Sequence, residues 1–355
     1  MTNINQLIFP PAILAAIISF LVTPFVLLLS WKVGLIDDPA KHKHPKVLHT
    51  YPIPRGGGLA IFTAFLLATA VFLPIDKHLL GIIAGAVVIM IMGILDDKFD
   101  LNPYLRLVIQ FIAALFPIAA GIGIAYITNP FGGIIDLSHP QITFQIFGSF
   151  HSIWILSDLF ALFLIVLLMN ALNFGAKGVD GQLTGVVAIA AFVIAILSLR
   201  FAPDPTQKPV IILAAATGGA FLGFLPWHIY PQKIMPSFAG SNLAGYLLAI
   251  LAILATAKVG LLLVALAVPL IDTGYVIVRR IASGKSPFWG DRGHLHHRLL
   301  DLGLTKPQVA LLYWAITALL GILALNLNTD FKLYTMIGVG FTIGGLILWL
   351  TYRPK

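Results

Sequence analysis

The chain has no cysteine, and its 14 acidic residues are all aspartates, so glutamate is missing as well. The first absence excludes disulfides, thiolate nucleophiles, zinc knuckles and iron–sulfur clusters. The second excludes the His-Glu-x-x-His helix of a metalloprotease. Charge of either sign is scarce, at 10% of 355 residues, where a soluble domain carries about a quarter. Apolar residues make up 59%, and the mean hydropathy is +0.97, which leaves no room for a sizeable water-soluble domain. The composition predicts an all-α polytopic membrane protein forming a single integral-membrane domain over 1–355.

Apolar runs of roughly 20 residues mark membrane spans. Eleven are expected, near 8–31, 56–74, 79–95, 104–127, 152–174, 183–201, 209–226, 240–257, 259–279, 308–327 and 332–350. The runs show no period-two alternation, which argues for helices over barrel strands. The first lacks the basic n-region of a signal peptide and reads as a retained span. Between spans four and five, Phe131-Gly132-Gly133 and the alternating Ile142-Thr143-Phe144 predict a small hairpin on the outer face.

With the N-terminus outside, all of the 22 Lys and Arg fall on the inner side except Lys77, Arg200, Lys208, Lys258 and Lys332. That bias predicts a cytoplasmic inner face in a bacterial-type cytoplasmic membrane. It also accounts for the +8 net charge without a nucleic-acid partner. His42, His44, His49, His228, His294, His296 and His297 fall on the same side, so the polar chemistry gathers on one face.

The inner loops carry distinct signals. Gly56-Gly57-Gly58 opening a helix fits an anion cradle or a tight turn with close helix packing. Asp96-Asp97, with Asp100 a turn later, loads negative charge onto a helix C-terminus that disfavours it. A divalent cation is the obvious compensation, since Mg²⁺ takes one or two carboxylates and completes its shell with water and phosphates. Asn170 and Asn173 share one side of a helix end ahead of Lys177 and the Gly-flanked Asp180. The last loop concentrates Arg279, Arg280, Lys285, Arg292, His294, His296, His297 and Arg298, a set suited to gripping a diphosphate or ligating zinc. Asp272 lies within a span, where an acid is by default a functional candidate.

These segments together resemble the polyprenyl-phosphate N-acetylhexosamine-1-phosphate transferases, glycosyltransferase family 4-like proteins. The likeness rests on GLIDDP (34–39), PRGGGLAIF (54–62), GILDDKFDL (93–101), NALNF and VDG (170–181), PLIDTGYVIVRR (269–280) and SPFWGDRGHLHHRLLDLGL (286–304). The His-Leu-His-His loop is the most specific, and the pattern is nearer the undecaprenyl-phosphate N-acetylglucosaminyl-1-phosphate branch than the pentapeptide branch.

The resemblance implies transfer of a sugar-1-phosphate from a UDP-sugar to polyprenyl phosphate at the cytoplasmic face. UMP is released and synthesis of a cell-envelope glycan, cell wall or lipopolysaccharide, begins. It implies Mg²⁺, or Mn²⁺ in its place, on Asp96 and Asp97, and catalytic roles for Asp96, Asp97, Asp180, His294, His296 and His297. Substrate contacts would come from Lys46, Arg55, Asn170, Asn173, Lys177, Arg292 and Arg298. A homodimer is an expectation at the family level.

The chain departs from the family pattern inside the site. The first acid of Asp-Gly-x-Asp-Gly is replaced by Lys177, with one residue inserted. The Asp of Gly-Asp-x-Gly-Ser is Phe238, and an upstream Asn aligns with His228. Either the site is remodelled around Asp96, Asp97 and a Lys177 charge, or catalysis is lost and a lipid-phosphate or nucleotide-sugar binding or transport protein remains. A transporter would be expected to show repeat symmetry and midplane polar residues, and neither is evident.

Overall fold

The computed structural model describes residues 4–40, 48–129, 133–146, 149–255, 259–287, 292–327 and 329–352. In chain order the elements are α1 (Ile4–Val33), β1 (Ile36–Asp37), β2 (Ile53–Pro54), α2 (Gly57–Phe72), α3 (Lys77–Phe99), α4 (Pro103–Ala119), β3 (Tyr126–Thr128), β4 (Ile134–Asp136), β5 (Gln141–Ile146) and β6 (Ser149–Trp154). They continue as α5 (Ile155–Gly175), α6 (Gln182–Leu199), α7 (Gln207–His228), α8 (Ser237–Leu254), α9 (Val259–Ala265), α10 (Ala267–Ala282), α11 (Leu295–Asp301), α12 (Lys306–Asn326) and α13 (Thr329–Tyr352).

Each expected span is met by helix, and the chain is an all-α multi-pass membrane protein. Among the described residues eight helices are long and apolar enough to cross a membrane, or nine if α9 and α10, bent by 77°, form one span. The expected eleven crossings are not reached on this measure. The 16 residues of α2 and 17 of α4 reach only roughly 24 and 26 Å at the rise of an α-helix, short of the ~30 Å hydrocarbon core. The expected 104–127 span stops at Ala119, just before Gly121 turns the chain at φ 98°.

Local chemistry sets the helix ends near the site. Asn102 accepts a hydrogen bond from the Tyr104 N–H with Pro103 at the first turn of α4, a favourable start. Thr305 and Gln308 form a capping box at the start of α12. Asp100 closes α3 in the left-handed region, φ 49°, which turns the chain directly into α4.

The core sits around α8, where every residue from Ser237 to Ile253 is buried. It packs against α5, α3, α2, α6 and α7. Small residues permit the close approach, as is usual between membrane helices. A Cβ on Gly58 would sit 2.5 Å from the Gly240 nitrogen, and one on Gly93 would sit 2.4 Å from the Ala239 Cβ. Of the two readings of Gly56-Gly57-Gly58, close helix packing is therefore the one this geometry carries.

Two antiparallel hairpins, β3–β4 and β5–β6, occupy the connection between α4 and α5, with Ile142 opposite Ile153 and Phe144 opposite His151. The expected single hairpin is thus a pair, and Phe131 and Gly132 lie outside the described residues. Because α4 departs from the α3 turn and α5 returns toward Asn173, the hairpins stand at the far end of the bundle from the polar loops.

Candidate active site

The polar loops converge on a cavity of about 330 Å³. It collects Asp96 and Asp97 from the end of α3, Asn170, Asn173 and Lys177 from the end of α5, and Asp180 from the following turn. The start of α8 adds Ser237 and Phe238, the first loop adds Asp37, His49 and Arg55, and the His loop adds His294, His296 and His297. Of the residues expected to form a site, Asp96, Asp97, Asp180, His294, His296, His297, Arg55, Asn170, Asn173 and Lys177 line this one space. Lys46 lies outside the described residues.

Arg292 and Arg298 are not brought to it. The Arg292 guanidinium pairs with Asp301 at 2.7 Å, and Arg298 donates to the Gly293 carbonyl at 3.0 Å and stacks over Tyr275. Both line a separate cavity.

The two adjacent aspartates are held differently. Asp96 is paired with Arg106 at 3.2 Å and accepts the Leu101 N–H at 3.1 Å. Asp97 has no ion pair among the described residues. Its Oδ1 accepts the Ser237 hydroxyl and, at 3.5 Å, the Phe238 N–H, and its Oδ2 accepts from none of the described residues. Ser237 reaches this oxygen from a left-handed backbone, φ 59°, a conformation that costs about 1 kcal/mol or more and tends to mark functional sites. Lys177 and Arg55 act on the Asp97 charge from nearby, and Arg55 donates to the Asp97 backbone carbonyl at 3.5 Å. Neither pairs with the carboxylate, and a buried carboxylate without a paired cation is unfavourable. The cavity beside Asp97 therefore suits a cation.

The donor set bears on which cation. Among the described residues no three His or Asp side chains converge on a point where they could hold a metal, so a zinc cage of His294, His296 and His297 has no geometry here. One free carboxylate oxygen with a second carboxylate next to it fits a hard divalent ion completed by water and phosphate.

Phe238, opening α8, presents its ring to the Arg106 guanidinium at 5.1 Å and the Lys177 ammonium at 5.9 Å. A π face attracts cations, so the aromatic ring holds both charges in the cavity. Lys177 also donates to Asn173 Oδ1 at 2.8 Å, and Ser241 donates to the same oxygen at 2.9 Å. Deeper in the bundle Asn170 donates to Gln110 Oε1 at 2.8 Å and Gln110 donates to Asn242 Oδ1 at 2.6 Å. This amide chain holds the ends of α4, α5 and α8 in register beneath the cavity.

On the opposite wall, Asp180 accepts from both the backbone and side-chain nitrogens of Gln232 at 3.3 and 3.2 Å, with the Lys306 ammonium 3.5 Å away. His228 Nδ1 lies 3.0 Å from the Thr184 hydroxyl. Arg55 pairs with Asp37 at 2.8 Å. Burial, aided by Lys306, keeps the neighbouring His49 below the usual imidazole range despite Asp37.

The intramembrane Asp272 is fully buried. Its Oδ2 lies 2.9 Å from His294 Nδ1 and its Oδ1 accepts the Leu295 N–H at 2.8 Å. A carboxylate can only accept here, so Nδ1 carries the proton and Nε2 is left facing the cavity, 3.5 Å from Arg280. His294 stacks on His296 at 5.5 Å between centroids. Gly178 makes room for that ring, since a Cβ there would lie 2.2 Å from it. Burial, then the neighbouring His297, His294 and Arg292, drive the His296 imidazole well below its ordinary pKa. Its Nδ1 is buried without a hydrogen-bond partner among the described residues.

Several site residues were not assigned from the sequence. Arg106 had a readable signal, a cation in the first turns of α4 where the dipole disfavours it. Ser237, Gln110 and Gln232 carried none, being ordinary polar residues whose roles arise only from packing.

A family model described as glycosyl transferase family 4 matches residues 79–256. A probable undecaprenyl-phosphate N-acetylglucosaminyl 1-phosphate transferase of Bacillus subtilis is 30% identical over 331 residues, 89% of this chain and 85% of that protein. A decaprenyl-phosphate N-acetylglucosaminephosphotransferase of Mycolicibacterium smegmatis is 29% identical, covering 84% of this chain and 77% of that one. An undecaprenyl-phosphate alpha-N-acetylglucosaminyl 1-phosphate transferase of Escherichia coli O157:H7 is 29% identical over 82% and 77%. The site described above thus sits in a membrane protein of the glycosyltransferase class. The chain belongs to glycosyl transferase family 4.

Proposed function

We propose that this chain transfers an N-acetylhexosamine-1-phosphate unit from a UDP-sugar to polyprenyl phosphate. A lipid phosphate oxygen attacks the sugar-linked phosphorus, the bond from that phosphorus to the UMP oxygen breaks, and polyprenyl-diphospho-sugar and UMP leave. The lipid phosphate is already largely dianionic at neutral pH, its second pKa being about 6. Deprotonation is therefore a minor need, and holding two anions together is the main task.

The observation that carries the reading is Asp97, a buried carboxylate with no ion pair among the described residues, in the same cavity as three imidazoles. Asp97, with Asp96 beside it, would hold a divalent cation, Mg²⁺ or Mn²⁺, whose chemistry is to neutralise phosphate charge. Lys177 and Arg55 supply further positive charge to the diphosphate, His294 holds Arg280 at the edge of the cavity through its accepting Nε2, and Asp180, fixed by Gln232, orients the nucleotide. Phe238 positions Arg106 and Lys177, which favours a remodelled, working site over a lost one. Lys46 would contact the lipid phosphate.

The charge census, with its excess of Lys and Arg on the loops of this end, supports a cytoplasmic site with the N-terminus and hairpins outside. The product would start a cell-envelope glycan.

The test is purified protein with undecaprenyl phosphate and a panel of radiolabelled UDP-sugars, with and without Mg²⁺. UMP release with at least one UDP-N-acetylhexosamine, lost on chelation, is expected. Nucleotide-sugar binding without any turnover would favour the binding-protein reading instead.

A further inference from the structure

A second cavity, about 540 Å³, opens at the same end of the molecule. Its wall carries Arg279, Arg280, Lys285, Arg292 and Arg298, and Asp301 is the one carboxylate among its described lining residues. Arg280 is the only residue named above that lines both cavities, so the two are separate spaces with one guanidinium between them.

The cations are placed by the fold. Arg298 is tied to the Gly293 carbonyl, the Thr351 hydroxyl and the Tyr275 ring. The guanidinium of Arg279 lies against Gly293, where a Cβ would come within 2.0 Å of it. Arg280 donates to the Pro287 carbonyl at 2.7 Å. Guanidinium forks held in this way match the oxygens of a phosphate.

The cavity also opens beside the end of an apolar span. Leu350, in its wall, belongs to the end of the Leu333–Thr351 span of α13. On α10, Val278 and Ile281, one turn apart, are 67% and 60% exposed and give an apolar strip leading away from the arginines. Basic pockets between helices at a membrane face are suited to anionic lipid headgroups.

We propose that this cavity binds the phosphate of an anionic membrane lipid, with the acyl chains lying along the Val278 and Ile281 face. The chemistry recognised is a phosphate oxyanion, and a soluble phosphate is the alternative source.

The test is binding, read without any transfer assay, so its outcome is independent of the proposed reaction. Purified protein in a phosphatidylcholine background is titrated with phosphatidylglycerol, and the bound lipid is counted by native mass spectrometry. Combined Arg279→Gln, Lys285→Gln and Arg292→Gln should weaken binding about a hundredfold, at roughly fivefold for each cation removed. Asp301→Asn releases Arg292 from its ion pair and should tighten binding several-fold, a gain that misfolding does not produce. Unchanged affinity in both variants overturns the proposal, as does weaker binding in Asp301→Asn. If inorganic phosphate at millimolar concentration displaces the lipid one for one, the site takes a soluble anion and the lipid assignment is wrong.

Discussion

Replacing Asp272 by Asn is the most informative perturbation of the His loop. The native carboxylate accepts from both His294 Nδ1 and the Leu295 N–H, at 2.9 and 2.8 Å, in a fully buried setting. An Asn side chain has one accepting oxygen and can satisfy only one of the two. If its oxygen stays on Leu295, its NH₂ faces Nδ1 and forces the other tautomer, which turns Nε2 into a donor toward Arg280. If it flips, two donors oppose each other at Leu295. Either way a hydrogen bond to a charged group is lost, worth about 1.5–3 kcal/mol, equivalent to roughly a 10- to 150-fold fall in turnover. The assay is UMP release by Asp272→Asn, His294→Ala and the double variant. If Asp272 acts through His294, the double variant is no slower than His294→Ala alone. Losses that multiply across the two sites would refute the reasoning, because Asp272 would then be acting elsewhere.

Other expectations follow from the same geometry. Lys177→Asp should reduce turnover, since it adds a third acid to Asp96 and Asp97 and removes the ammonium over Phe238; increased turnover would show that Lys177 contributes no useful charge. Phe238→Leu removes the ring that attracts Arg106 and Lys177, at a cost of about 1 kcal/mol, visible as a raised KM for the UDP-sugar with little change in thermal stability. Gly58→Val should destabilise the fold by about 1–3 kcal/mol because its Cβ meets the Gly240 backbone; an unchanged unfolding temperature would contradict the packing. His296 binds its proton more weakly folded than unfolded, so its contribution favours folding above the unfolded pKa of about 6.5 and is lost as pH falls below it. His296→Gln should flatten that acid limb in a thermal melt, and an identical pH profile would remove the argument.

Much of the fold was legible because hydropathy is a strong signal in a membrane chain. Every expected span contains helix, although 104–127 gives way to turn and strand beyond Ala119, and the loop residues with scarce chemistry, Asp96, Asp97, Asp180 and the three His, share one cavity. What hydropathy does not carry is three-dimensional direction. Pro269, in the first turn of α10, marks a break in the run 259–279, but not the 77° angle through which the chain turns at Leu266, and the shortness of α2 and α4 depends on where turns close. Arg292 and Arg298 are adjacent in sequence to the His loop, yet they sit in another cavity, because α11 carries Arg298 round to Tyr275 and brings Asp301 back to Arg292. The glycines at 56–58 matched two uses, and only the helix partners, Phe224 for Gly57 and Gly240 for Gly58, distinguish them. Phe238 looked like a defect in a site of acids. Its place between two cations is visible only once α4, α5 and α8 are assembled.

The proposed function rests on Asp97 presenting a carboxylate oxygen that would hold a divalent cation and so neutralise phosphate charge. Electron paramagnetic resonance of added Mn²⁺, titrated against purified protein with UDP-N-acetylglucosamine present, tests it directly. A saturable bound signal, strengthened by the nucleotide-sugar and abolished by Asp97→Asn, is expected. A bound signal of equal strength in Asp97→Asn would contradict it.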